Sequence, residues 1–166
     1  RQIAMRLPDD YTLVVKDHPS MISFRSPNYL KKILNTANVK LINPNTPIDL
    51  IFKKSDIIIG TTCTMFFEAA IFGKKVIQLG DSGFTKFLPN VTLIDNFNNL
   101  SKIIKTLLKK DLDYQNHDYH SNLINYIAAA YSVGFNENYV GVWERNETSD
   151  DNKIFEIFKN EFERHI

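Results

Sequence analysis

Short apolar runs alternate along the chain with segments whose apolar positions have helical spacing. Continuous apolar runs of this length predict buried strands, and here they fall at residues 12–16, 39–42, 56–60, 75–79 and 91–94. Helical spacing predicts helices at residues 27–36, 64–72 and 100–108, with a further helix starting at Pro47 after a Thr46 cap. Strands that alternate with helices are typical of a parallel sheet covered on both faces. The pattern therefore predicts an α/β fold, a Rossmann-like parallel sheet with helices on both faces, over residues 1–110.

The remaining residues, 111–166, predict a helical C-terminal extension. A helix is expected at residues 117–131, and a last amphipathic helix is marked by Ile154, Ile157, Phe158 and Phe162. Phe155, Phe158 and Phe162 on this helix need an apolar partner. We expect residues 149–166 to pack on the first domain or on a missing N-terminal half. The chain starts at Arg1 rather than methionine, which indicates a piece of a longer protein.

Composition removes several classes of function. Twenty basic and nineteen acidic residues give a net charge of +1, whereas nucleic-acid binding usually requires a basic excess. The longest nearly apolar run, residues 65–72, contains Glu68 and is far shorter than the about 20 residues of a membrane span. Cys63 is the single cysteine, and no metal-ligand spacing is present. We predict no nucleic-acid partner, no transmembrane segment, no metal and no cofactor.

Candidate chemistry lies where strands end, because ligands of open parallel sheets bind beyond the carboxyl ends of the strands. Thr61, Thr62 and Thr64 follow the third strand and open a helix, an arrangement that suits a phosphate. Glu68 lies one turn further on the same face, where its carboxylate can accept hydrogen bonds from two ribose hydroxyls. The structural alternative is a capped helix whose glutamate pairs with a lysine.

Two other loops, residues 17–20 after the first strand and residues 80–83 after the fourth, also follow strand ends. His18 ends the first strand before Pro19, and its imidazole can donate to a phosphate or serve as a structural group. Arg25 can meet an anionic ligand or remain a solvated loop charge. Cys63 is interpreted as a small buried packing residue rather than a nucleophile, since no base is positioned beside it. The remaining histidines, His117, His120 and His165, are interpreted as surface residues.

Four segments in register resemble bacterial capsule polysaccharide biosynthesis proteins. Residues 15–19 (VKDHP), 38–44 (NVKLINP), 64–69 (TMFFEA) and 73–80 (GKKVIQLG) are similar to that family's VKEHP, NV-x-L-I-x-P, T-x-x-x-E-A and GKPVI-x-x-G motifs. The last motif adds Gly80 to the candidate site. The chain departs from the family pattern at Lys75, where proline is usual, and at Thr62-Cys63, where Ser-Gly is common.

The resemblance implies a two-Rossmann-domain (GT-B-type) glycosyltransferase, related to Kdo- and sialyltransferases, of which this chain is the C-terminal half. It implies that His18 with Thr61, Thr62 or Thr64 holds the phosphate of a nucleotide-sugar donor, a CMP-sugar or alternatively a UDP-sugar. The general base and the contact with a glycan or lipid-linked acceptor would belong to the missing half, so the chain alone would be inactive. The implied location is the cytoplasm or the inner face of the membrane.

Other functions fit the same fold. One is a UDP-sugar epimerase-like domain, although the acid and base carboxylates that an epimerase needs are not visible. A second is a polyol-phosphate transferase domain. A third is a non-catalytic Rossmann-like module that binds a partner and no nucleotide.

Overall fold

The computed structural model describes residues 1–134, 155–157, 159–160 and 163. The chain divides into two compact units, residues 1–123 and 124–166. Phe155 is exposed, while Phe158, Phe162 and His165 lie outside the described residues, as does most of the segment 149–166 whose packing was predicted. The first unit carries all the predicted strands, and residues 117–123 of the helix after residue 116 belong to it.

Five parallel strands alternate with helices, as the pattern predicts. The strands are β1 (Leu13–Val15), β2 (Val39–Leu41), β3 (Ile57–Gly60), β4 (Lys75–Leu79) and β5 (Val91–Ile94). The helices are α1 (Pro27–Leu34), α2 (Ile48–Lys54), α3 (Met65–Ile71), α4 (Leu100–Lys109) and α5 (His117–Val133). This arrangement confirms the α/β class with a Rossmann-like order of elements.

The strands form two parallel sheets rather than one continuous sheet. β1 pairs with β2, and β4 lies between β3 and β5. β1 and β3 both line a cavity of about 210 Å³, to which Leu13, Val14 and residues 57–59 contribute. β1 and β3 are not hydrogen-bonded to each other, so the expected five-stranded sheet is divided into two sheets. Strands of both sheets line the cavity.

One cluster of the core lies between the three-stranded sheet and α4. Ile77 and Ile94 from the sheet pack with Leu100 and Ile104 from α4, and all four are buried. The predicted apolar stripe of α4 supplies this face, while its lysines at 102, 105 and 109 are exposed.

Local signals set the helix ends. The Ser26 hydroxyl accepts a hydrogen bond from the Tyr29 N–H at 3.2 Å and caps α1, with proline in the first turn. Gly73 ends α3 at φ +62°, a conformation that favours glycine. The predicted Thr46 cap of α2 is wrong, because the Thr46 hydroxyl donates to the Asn43 carbonyl at 2.7 Å inside the preceding turn.

Candidate functional site

The loop after β1 holds His18 at the start of a short 3₁₀ turn, Pro19–Met21. The Ser20 N–H lies 3.3 Å from the His18 Nδ1 atom, and the Ser20 Oγ atom lies 2.7 Å from it. A backbone N–H can only donate, so Nδ1 accepts, and a neutral His18 carries its proton on Nε2. The side chain is exposed, and Nε2 has no hydrogen-bond partner among the described residues. The ring can therefore donate from Nε2 to a ligand.

An ion pair closes the same loop. Arg25 donates from Nε to Asp17 Oδ2 at 2.7 Å and from Nη2 to Asp17 Oδ1 at 3.1 Å, and its guanidinium lies 4.9 Å from the centre of the Tyr29 ring. The hydrogen bond from Arg25 lowers the pKa of Asp17 against the opposing effect of burial. Arg25 is thus a paired loop residue, and its contact with an anionic ligand stays a prediction.

The loop after β3 presents the threonines. Gly60 ends the strand where the Phe66 ring packs, since a Cβ atom at position 60 would lie 3.0 Å from that ring. Thr61, Thr62 and Thr64 are exposed, and their hydroxyls form no hydrogen bond with any described residue. The structural alternative, in which these hydroxyls cap the helix, is therefore not the arrangement observed.

Cys63, in the middle of this loop, is exposed. The interpretation of a small buried packing residue is wrong, because the turn before α3 directs the burial to Phe66 instead, which is fully buried. The thiol is therefore exposed and does not belong to the core.

Glu68 lies on α3 four residues after Thr64 and is half-buried. Within the described part of the chain no lysine or arginine forms an ion pair with its carboxylate. The predicted structural alternative, a lysine partner, is thus not found among these residues. The carboxylate retains its capacity to accept hydrogen bonds from a ligand.

The loop after β4 is held by a buried polar side chain that is not among the predicted site residues. Gln78 is fully buried, and its Nε2 donates to the carbonyls of Gly80 at 3.2 Å and Ser82 at 2.8 Å. The Thr85 hydroxyl donates to Gln78 Oε1 at 2.8 Å. One polar residue inside the apolar run of β4 was the signal that could have identified it.

Two of the three loops meet. A Cβ atom on Gly83 would lie 3.3 Å from Thr62 Cγ2, so the loop after β4 contacts the loop after β3. Gly80, with φ +86°, and Gly83, with φ +67°, both use the backbone region that favours glycine. No hydrogen bond or ion pair in the described ranges joins the His18 side chain to the threonines or to Glu68.

Lys75, which replaces the usual proline of the family motif, has a structural role. Its Nζ donates to the carbonyls of Leu107 at 2.7 Å and Lys110 at 3.1 Å at the C-terminal end of α4. A cation at this end of a helix also interacts favourably with the helix dipole. The substitution therefore ties β4 to α4.

Two further features concern the kind of site. The described residues contain no group of three or more histidine, cysteine, aspartate or glutamate side chains placed to hold a metal ion. Nor do they contain a helix with the length and apolar character needed to cross a membrane.

Comparison with known proteins gives one match. A family model described as capsule polysaccharide biosynthesis protein matches residues 1–87, just over half of the 166 residues. No curated protein and no solved structure matches the chain. The matched segment contains β1 to β4 and the three loops described above.

Proposed function

The chain belongs to the capsule polysaccharide biosynthesis protein family, and on this premise we propose that residues 1–110 bind the donor nucleotide of a glycosyltransferase. The enzyme would build capsule or another surface polysaccharide. The observation that carries the proposal is the set of exposed threonine hydroxyls after β3, inside the matched segment, which form no hydrogen bond with any described residue. Hydroxyls without a partner in the described part of the fold are available to an anionic ligand.

The proposed chemistry divides the donor between two loops. Thr61, Thr62 and Thr64 donate to the phosphate, and His18 adds a donor from Nε2. Glu68 accepts from the ribose hydroxyls, since its carboxylate has no ion-pair partner in the described part of the chain. Pro19 and Gly80 shape the loops around these groups. A CMP-sugar is the preferred donor because the family resemblance implies one, with a UDP-sugar as the alternative.

Catalysis needs groups beyond this donor site. In the two-domain architecture that the resemblance implies, the general base and the glycan or lipid-linked acceptor belong to the other domain. We therefore expect these residues alone to bind donor nucleotide without transferring sugar. The proposed location is the cytoplasm, or the inner face of the membrane as a peripheral protein.

Thermal shift with CMP, UDP and GDP tests the proposal. A ligand that binds only the folded state raises stability by RT ln(1 + [L]/Kd), so CMP should raise the melting temperature most. A preference for UDP excludes the CMP-sugar donor and fits either a UDP-sugar transferase or the epimerase-like alternative. If none of the three nucleotides stabilises the protein, the donor-binding proposal is wrong and a non-catalytic module is favoured.

Titration of variants then locates the site. Glu68→Ala removes an acceptor of two hydroxyls, and charge-assisted hydrogen bonds contribute about 1.5–3 kcal/mol, so CMP affinity should fall by roughly one to two decades. His18→Ala should weaken CMP binding and leave cytidine, which has no phosphate, nearly unchanged. His117→Ala is the matched control, because His117 is an exposed histidine on α5. Equal CMP affinities in all variants would show that the site lies elsewhere.

A further inference from the structure

We infer that the Asp17–Arg25 ion pair positions His18 so that its imidazole presents the Nε2 proton to an anionic group of the ligand. The inference rests on the proposed donor-nucleotide function and assigns Asp17 and Arg25 as positioning residues.

The ion pair fixes the two ends of the loop. Both Asp17 oxygens receive a hydrogen bond from Arg25, at 2.7 and 3.1 Å, and such forked pairs restrict geometry more than a single contact does. The guanidinium also stacks 4.9 Å from the centre of the Tyr29 ring, in the first turns of α1. Between the two ends, Ser23 has φ +78°, which a serine rarely adopts. The ion pair thus stabilises a loop in which Ser23 has an unfavourable backbone conformation.

The same carboxylate reaches the histidine backbone. Asp17 Oδ1 accepts a hydrogen bond from the His18 N–H at 2.9 Å. The following turn brings the Ser20 N–H to His18 Nδ1, which leaves Nε2 as the protonated ring atom. A phosphate offers only acceptors at this position, so an Nε2 proton donor is the matching partner. The chain of contacts runs from Arg25 to Asp17, then to the His18 backbone and finally to the ring.

A direct contact between Arg25 and the ligand fits this geometry less well. Its Nε and Nη2 atoms are already engaged with Asp17, and both carboxylate oxygens are in turn occupied. The positive charge is therefore balanced inside the loop. Positioning of His18 is the role that uses these contacts.

The ¹⁵N spectrum of the imidazole measures the tautomer directly. At about pH 8.5, where an ordinary imidazole is neutral, wild-type His18 should be mainly the Nε2–H tautomer. Arg25→Gln and Asp17→Asn should give a mixture of tautomers, and Arg25→Lys, which keeps the charge without the fork, should be intermediate. Asp49→Asn is the matched control, because it removes the exposed Asp49–Lys53 pair of α2. Backbone amide spectra of each variant establish that it is folded.

CMP titration of the same proteins tests whether the Asp17–Arg25 ion pair contributes to phosphate binding through His18. A charge-assisted hydrogen bond is worth about one to two decades of affinity, and misdirecting it should cost about half of that on a logarithmic scale. Arg25→Gln should therefore weaken CMP binding about three- to tenfold and leave cytidine binding unchanged.

The two experiments distinguish a wrong role for the ion pair from a wrong proposed function. Unchanged His18 spectra in Arg25→Gln and Asp17→Asn overturn the inference. Weaker CMP binding with an unchanged spectrum also overturns it, since Arg25 would then act on the ligand directly. A changed spectrum with unchanged CMP affinity shows that the Nε2 proton does not serve the phosphate. If wild-type protein binds no nucleotide, the proposed function fails, while the spectra still decide whether the ion pair sets the tautomer.

Discussion

Replacement of Gln78 by methionine should destabilise the protein through the loop after β4. The side chain is fully buried and makes three hydrogen bonds, to the carbonyls of Gly80 and Ser82 and from the Thr85 hydroxyl. Each contributes about 0.5–1.5 kcal/mol net, so together they contribute about 1.5–4.5 kcal/mol. Methionine nearly preserves the volume, and water can reach part of the loop, so we expect a loss of about 2–3 kcal/mol.

Urea denaturation of wild type and four variants measures this loss. Gln78→Met should lower the midpoint without changing the slope, and Thr85→Val, which removes one of the bonds, should cost about 1 kcal/mol. The double variant should cost less than the sum of the two, because they share a bond. Gln115→Met, at an exposed position, is the control and should be neutral. A Gln78→Met protein within about 0.5 kcal/mol of wild type would refute the reasoning.

Gly73→Ala should cost at least about 1–2 kcal/mol in urea, because φ is +62° and the new Cβ would lie 2.6 Å from the Tyr114 ring; a neutral result contradicts this geometry. Because the pKa of Asp17 is lowered in the folded protein, its negative charge stabilises the fold at pH values above 3.8, the ordinary pKa of the group. This stabilisation is lost as the pH falls through the lower folded-state pKa. The stability difference between wild type and Asp17→Asn should therefore shrink below pH 3.8, and a constant difference would oppose the assignment. Tyr119→Phe should cost about 1 kcal/mol, since its buried hydroxyl donates to the Ala70 carbonyl at 2.7 Å, and equal urea midpoints would count against that bond.

The elements were predictable because their signals are local. β4 and β5 have the predicted bounds, and β1, β2 and β3 are each shorter than predicted by one or two residues at their ends. The apolar stripe of α4 likewise predicted which face is buried. Such patterns depend only on the spacing of side chains along one element.

The division into two sheets was not predictable in this way. The spacing of apolar residues identifies a strand but does not show which other strand it pairs with. The sequences of β1 and β3 are therefore compatible both with pairing and with a cavity between them. The wrong predictions for Thr46 and Cys63 have a related cause. Both residues lie in turns. The geometry of the turn decides whether the Thr46 hydroxyl caps α2 or bonds within the turn, and whether the Cys63 side chain is buried or exposed.

In the candidate site, too, the sequence does not show which polar side chains have partners within the fold. Asp17, Arg25 and Gln78 have partners within the fold, and they hold the loops after β1 and β4 in place. The threonine hydroxyls after β3 and the Glu68 carboxylate have none in the described residues. The same polar residue types serve both purposes, so the sequence alone does not separate the groups that build a loop from the groups left for a ligand. That separation requires the distances between side chains, and the proposed donor site uses the groups that have no partner in the described residues: the three threonine hydroxyls, the Glu68 carboxylate and the His18 Nε2 atom.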